Sequence, residues 1–188
     1  FDATNAAYDS LDAGDTLVIT IPVAVTDGTA TSGTDIVITM TGTNDAPVIG
    51  AVTAATVNEG DASFNGQLTS TDLDTGAATT ATYSTVSTQA GFSLLPDGSY
   101  AFDATNAAYD YLNAGDSLTI TIPVVVTDDQ GDTDTTNIVI NMTGTNDAPV
   151  IGAVVAKSVN EGDASFSGQL TSTDKDTSEQ TQATTATY

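Results

Sequence analysis

Chemistry in this chain has to be carried by oxygen. It has no Cys and no His, and 25 Asp plus Glu stand against 2 Lys plus Arg. Thiolate nucleophiles, imidazole bases and metal sites built on nitrogen or sulfur are thereby excluded. What remains is carboxylate, amide and hydroxyl oxygen, and it is grouped. One group is Asn44-Asp45, with Asn146-Asp147 as its counterpart. A second is Asn58-Glu59, matched by Asn160-Glu161. A third is the Asp-x-Asp pair Asp72/Asp74, matched by Asp174/Asp176. A fourth is Asp27, matched by Asp128, with Asp129, Asp132 and Asp134 close behind it. Carboxylates gathered with amide and carbonyl oxygens make the donor set of a hard divalent cation. Calcium takes about six to eight such oxygens. The expected cofactor is therefore Ca2+. Its candidate ligands are Asp27, Asn44, Asp45, Glu59, Asp72, Asp74, Asp128, Asp129, Asp132, Asn146, Asp147, Glu161, Asp174 and Asp176.

A blander reading competes at each position. Asp and Asn beside Gly or Pro cap turns through their own side chains. For a single Asp in this chain that is the default, and Asp12 and Asp97 read as turn residues. Asp2, Asp9, Asp103 and Asp110 read as solvated. The Asp72/Asp74 and Asp174/Asp176 pairs favour metal, because neighbouring like charges are costly without a cation. For the linker Asn-Asp pairs both readings stand.

The balance of charge removes other classes. The formal charge is -23 and the pI near 4.1. A nucleic-acid partner needs a basic face, and an anionic bilayer repels an acidic one. No apolar stretch approaches the roughly 18 residues of a membrane span. FDATNAAYDS has neither the charged start nor the apolar run of a signal peptide, and the chain reads as an excerpt of a longer protein. An enzyme could work with two carboxylates alone. Every acidic motif is duplicated, however, Trp is absent and aromatics are 6%. No enzyme is expected. A self-formed Lys–Asp or Lys–Asn crosslink is disfavoured, because Lys157 aligns with Ala55 and Lys175 with Leu73. The Thr-rich faces lack the short regular lattice of an ice binder.

The elements that must hold these groups repeat almost verbatim. FDATNAAYDSLDAGDTLVITIPVAVTD starts at Phe1, and FDATNAAYDYLNAGDSLTITIPVVVTD at Phe102. TGTNDAPVIGAV starts at Thr41 and again at Thr143. VNEGDASFNGQLTSTDLD starts at Val57, and VNEGDASFSGQLTSTDKD at Val159. TTATY ends at Tyr83 and at Tyr188. A period of about 100 residues is a whole sandwich domain, so the chain is an array of beads. GTNDAPV resists regular structure and reads as the linker. Residues 1–45 are then the closing half of one repeat, 46–147 one complete repeat, and 148–188 the opening half of the next.

Alternation predicts the strands. SLTITIPVVVTD puts Leu118, Ile120, Ile122, Val124 and Val126 on one face. NIVINMTG puts Ile138, Ile140 and Met142 inward, and ASFNGQLTSTD pairs Phe64 with Leu68. LLPDGSYAF reads as a hairpin. Pro22 and Pro123, inside strong strands, call for an edge or a bulge. DATNAAYDYLNAGDS has room for one helical turn, with Tyr109 and Leu112 as a corner on the core. About seven strands per repeat suit an all-β, Greek-key β-sandwich.

GFSLLPDGSYAF, LNAGDSLTITIPVVVTDDQGDTDT and INMTGTNDAPV together resemble the VCBS repeat, across the whole chain in broken phase. That family forms arrays in giant bacterial surface adhesins, including RTX-type and biofilm adhesins. The resemblance implies tandem immunoglobulin-like, cadherin-like domains with calcium at their junctions. The order Asn-Asp-x-Pro, Asn-Glu, Asp-x-Asp is similar to that at cadherin junctions, at different spacings. The implied role is an extracellular, cell-surface spacer that holds a distal binding domain away from the bacterium. Its partners are then neighbouring repeats, with self-association through the complementary half-repeats 1–45 and 148–188 as a further route. Two other accounts stand beside it. One is an adhesive module or surface lattice that itself makes the contacts. The other is halophilic solubility, in which the acid only keeps the surface hydrated. That last account does not explain why the acid gathers in repeated motifs.

Overall fold

The structure is a computed structural model and describes residues 1–74 and 81–176. The second TTATY run and the longer loop before it lie outside the described residues. The chain is all-β and builds the expected immunoglobulin-like sandwich. Residues 1–45 contribute a long hairpin, β1 (Thr16–Thr26) and β2 (Thr31–Thr41), antiparallel from Thr16↔Thr41 to Thr26↔Thr31. A short β3 (Val48–Ile49) follows the linker and pairs with β6 (Ser70–Thr71). The larger sheet then runs β4–β11–β10–β7, built from β4 (Ala55–Asn58), β11 (Thr133–Thr143), β10 (Ser117–Thr127) and β7 (Thr82–Ser84). The facing sheet runs β5–β9–β8, from β5 (Phe64–Gln67), β9 (Ser99–Phe102) and β8 (Phe92–Leu94). Those two sheets hold seven strands between them. Beyond the second linker, β12 (Val150–Ile151) pairs with β13 (Ser172–Thr173), as β3 does with β6.

The core is the one that alternation predicts. Ile120, Ile122, Val124 and Val126 of β10 meet Ile138, Ile140 and Met142 of β11, all buried. Phe102 fills the space between the sheets, with Phe64 at 5.8 Å and Tyr109 at 5.6 Å between ring centroids. Tyr109 and Leu112 form the expected corner. The Tyr109 hydroxyl donates to the Ala90 carbonyl and accepts from the Gln89 amide. No helical turn forms in that corner; the equivalent first-copy segment makes a 3₁₀ turn over Ala6–Tyr8, capped by Asn5. The Pro-Asp-Gly hairpin forms as predicted. Gly98 takes φ +85°, and Asp97 accepts from the Ser99 amide.

Pro123 sits in an unbroken register opposite Asn137, so there is no bulge. It is a local edge instead. β7 pairs only with Val125, Val126 and Thr127, and stops short of the position that lacks an N–H. Among the described residues no helix is long and apolar enough to cross a membrane.

One close approach fixes where each linker starts. The Gly144 amide donates to the Asp116 carbonyl, and its own carbonyl accepts from Gly115. A Cβ on Gly144 would run into the Asn113 carbonyl and within 2.8 Å of Leu112 Cβ. Gly42 lies against Leu11 and Asp12 in the same way. Gly144→Ala should therefore lower unfolding stability by about 1–3 kcal/mol through overpacking. Gly168→Ala, which meets nothing within 4 Å, should stay within about 0.5 kcal/mol. Urea unfolding of both variants checks this.

Candidate metal centre

Once glycine pins the linker to the trailing end of one repeat, the next residues bridge to the leading end of the following one. The bridge is the same backbone hydrogen bond in both junctions. The Asp45 amide donates to Asp74 Oδ2 at 2.8 Å, and the Asp147 amide to Asp176 Oδ2 at 3.0 Å. The acceptors are themselves held: the amide of Asp74 donates to Asp72 Oδ1 and that of Asp176 to Asp174 Oδ1, each at 3.1 Å. The Asp-x-Asp spacing is thus a turn in which the first carboxylate orients the second. Both sequence-level readings of the pair, turn cap and oxygen cluster, describe the same residues.

At the first junction the loop joining β10 to β11 adds more contacts. Asn44 Nδ2 donates to Asp128 Oδ2 at 3.0 Å and to Asp132 Oδ2 at 2.7 Å. The Ile49 amide donates to Asp134 Oδ2 at 2.9 Å. Asp128 Oδ1 also gathers the amides of Gln130, Gly131 and Asp132. Burial opposes the charge on Asp128, but Asn44 and those three amides outweigh it and hold its carboxyl below the ordinary range.

At the second junction Thr145 clamps the trailing end of the complete repeat. Its amide donates to Glu59 Oε2 at 3.1 Å and its hydroxyl to the Glu59 carbonyl at 3.2 Å. One carboxylate oxygen each from Glu59, Asp110 and Asp147 lie within 4.8 Å of one another. Lys175 leans over them, with Nζ 2.9 Å from Asp110 Oδ2 and 3.9 Å from Asp147 Oδ1.

These clusters hold more negative oxygen than the chain can satisfy. Glu59, Asp74 and Asp176 are 7%, 5% and 1% exposed, and each has one buried carboxylate oxygen with no donor: Glu59 Oε1, Asp74 Oδ1 and Asp176 Oδ1. Asp72 Oδ2 and Asp12 Oδ1 are in the same condition. A buried, unpartnered carboxylate oxygen is unfavourable unless a proton or a cation meets it. The carboxyls respond accordingly. Burial pushes Glu59 above its ordinary range; the Thr145 amide opposes this, and Asp147, Asp110 and Asp176 add to it. Asp45 is raised by burial and then by Asp74, Asp9 and Asp72.

The predicted ligands divide by place. Asn44, Asp45, Asp72, Asp74, Asp128 and Asp132 meet at the first junction. Glu59, Asp147, Asp174 and Asp176 meet at the second, where Asn146 only donates to the carbonyl of Asp147. Asp129 is exposed in its loop. Asp27 is exposed and caps its own turn through the amides of Thr29 and Ala30, which lower its pKa. Glu161 is exposed as well. Asp27 and Glu161 align with Asp128 and Glu59, but both linkers lie elsewhere.

Three acids expected to be inert belong here. Asp110, read as solvated, is half-buried in the cluster with Glu59 and Asp147. Asp9, its first-copy equivalent, acts on Asp45. Asp12, read as a turn residue, has a buried oxygen without a partner. The only hint in the sequence is indirect. Asp110 directly follows Tyr109, and a carboxylate next to a core-anchored side chain has a fixed position.

No family model matches the chain, and no curated protein does. Solved structures do. Protocadherin gamma B7 extracellular cadherin domains 1–4 align at TM-score 0.51 and 18% identity, over 86% of this chain and 41% of theirs. Mouse cadherin-23 EC22–24 aligns at TM-score 0.48 and 16% identity, over 86% of this chain and 54% of that one. The chain therefore spans less than two thirds of the cadherin structures it matches. The likeness is one of fold, and the fold is cadherin-like.

Proposed function

We propose that the chain is a run of calcium-stabilised extender repeats from a secreted bacterial surface adhesin, serving to project a distal binding domain. The observation that carries the reading is the set of buried, unpartnered carboxylate oxygens at the junctions, above all Glu59 Oε1 and Asp176 Oδ1. Glu59, Asp110, Asp147 and Asp176 would hold the ion at the second junction. Asp9, Asp45, Asp72 and Asp74 are the corresponding set at the first. Bound calcium supplies two positive charges and a demand for several oxygens at once.

The chain's own residues do the rest. Glu59 and Asp110 belong to the trailing end of one repeat, Asp147 to the linker, and Asp176 to the leading end of the next. Unneutralised, they repel across the joint and weaken it. Neutralised together, they tie three segments into one. Binding to the folded state alone stabilises it by about 2.7 kcal/mol per site when free calcium is a hundredfold above Kd. That is a large share of a domain stability of roughly 5–15 kcal/mol. The resemblance of the sequence to the VCBS repeat suggests the adhesin context, and the near-identity of the copies favours a spacer over a dedicated ligand-binding module.

A second reading has its own observation. Val25 is 71% exposed on β1, whereas its equivalent Val126 is fully buried in the complete repeat. Ile21, Val23 and Ile36 are exposed likewise. In the complete repeat β4 covers the edge of β11, and residues 157–160 are the second copy of β4. A second molecule's 148–188 segment can therefore complete the first half-repeat by strand addition. Sedimentation should show mass rising with concentration; a strict monomer throughout would remove this reading.

Thermal melts test the main reading. Millimolar calcium should raise Tm well above the value in EDTA, and matched magnesium or high sodium chloride should not. Equal rises in all three would reduce the acid to a screened surface charge. Glu59→Gln separates the terms further. A carboxyl whose folded pKa is raised costs stability once ionised, and the cost fades as pH falls through that pKa. In EDTA the variant should therefore melt above wild type at pH 7 and match it as pH approaches the ordinary Glu value of about 4.3. In calcium it should lose most of the metal-dependent rise. A variant that kept the full rise would exclude Glu59 as a ligand.

A further inference from the structure

Lys175 is one of only 2 cationic side chains in the chain, and it sits on the second junction's carboxylates. At the first junction the same position is Leu73, a largely exposed side chain that carries no charge. Four acids correspond between the copies: Asp9 to Asp110, Asp45 to Asp147, Asp72 to Asp174 and Asp74 to Asp176. The Lys175 ammonium touches two of the three acids whose oxygens converge, Asp110 and Asp147, and stops short of Glu59. It is exposed along most of its length, so nothing buries it in that place.

We infer that Lys175 is a tethered counter-ion that competes with a divalent cation for the Asp110–Asp147 carboxylates, so that the second junction binds the cation more weakly and gains less from it. The inference rests on the calcium reading of the junctions. Coulomb's law gives the direction: an ammonium a few ångströms from the ligand oxygens lowers their attraction for a second cation, and it must swing out before both carboxylates can turn to the ion. With low divalent cation the same ammonium relieves the repulsion among Glu59, Asp110 and Asp147. One lysine thus does opposite things in the two states. It steadies the junction without metal and weakens metal binding. An array carrying Leu at one joint and Lys at the next would stiffen joint by joint as calcium rises, rather than all at once.

The test is calorimetric titration of the whole chain with calcium chloride, alongside melts in EDTA, for wild type, Lys175→Leu and Lys175→Arg. Leucine is the residue the first copy carries, so the substitution is compatible with the fold. Lys175→Leu should bind calcium about tenfold more tightly at one class of site and melt lower than wild type in EDTA. Lys175→Arg keeps the charge and should stay near wild type in both. Equal affinities for wild type and Lys175→Leu would overturn the inference and leave calcium binding intact. An absence of calcium heat in all three proteins would overturn both readings. A higher melting temperature for Lys175→Leu in EDTA would also overturn the inference, because the ammonium would then be no counter-ion. Asp176→Asn in the same titration marks the second junction: the tight class gained in Lys175→Leu should vanish in the double variant and persist if it arises elsewhere.

Discussion

Everything at the joints depends on one hydrogen bond, from a linker aspartate's amide to a carboxylate in the next repeat. It occurs as Asp45 to Asp74 and again as Asp147 to Asp176. The bond draws an anion onto the backbone of a residue that is itself an anion. The linker carboxylate is thus held beside a second carboxylate by its own main chain. Like charges at this separation are costly in a partly buried site. A structure that wanted only a rigid linker would use a neutral acceptor. Here the joint is built with negative charge left unneutralised by the chain.

The same bond explains why the acid is not spread over the strands. A uniformly acidic surface keeps a protein soluble in salt without any buried oxygen going unpaired. Among the described residues the buried unpaired oxygens belong to Asp12, Glu59, Asp72, Asp74 and Asp176, and all five lie in the repeated motifs around the two linkers. The turn carboxylates away from the joints are different. Asp97 and Asp103 are satisfied by Ser99 and Thr105, and those bonds hold their pKa values down. The chain thus uses aspartate in two ways, as a satisfied cap within a repeat and as an unsatisfied group between repeats.

That division marks where reading the sequence succeeds and where it stops. The core was legible because strand period is local. Ile120 to Val126 alternate, and so they face inward. The Asp-x-Asp pairs were legible because two like charges so close together are unusual. Asp110 was not. It lies far along the chain from both Glu59 and Asp147, and its neighbours resemble an ordinary polar corner. Only the packing of Tyr109 against Phe102 and the return of the linker past Leu112 bring it into place. Contacts that depend on how two sheets close carry no local pattern. The helical turn expected in that corner failed for a related reason: Tyr109 and Leu112 are fixed by the core, and the backbone between them follows as turns.

The repeats are near copies, and this gives their differences more weight than their identities. A sandwich tolerates Leu or Lys equally at an exposed loop position, so the core is indifferent between Leu73 and Lys175. The charge at the joint is not. Leu73 adds no charge to a cluster that Asp45, Asp72 and Asp74 already crowd, whereas Lys175 adds one positive charge beside Asp110 and Asp147. A substitution that is silent for the fold therefore changes the electrostatic balance of one joint and leaves its neighbour as it was. If the repeats form the proposed array, such single exchanges between them are a simple means by which stiffness would differ along it.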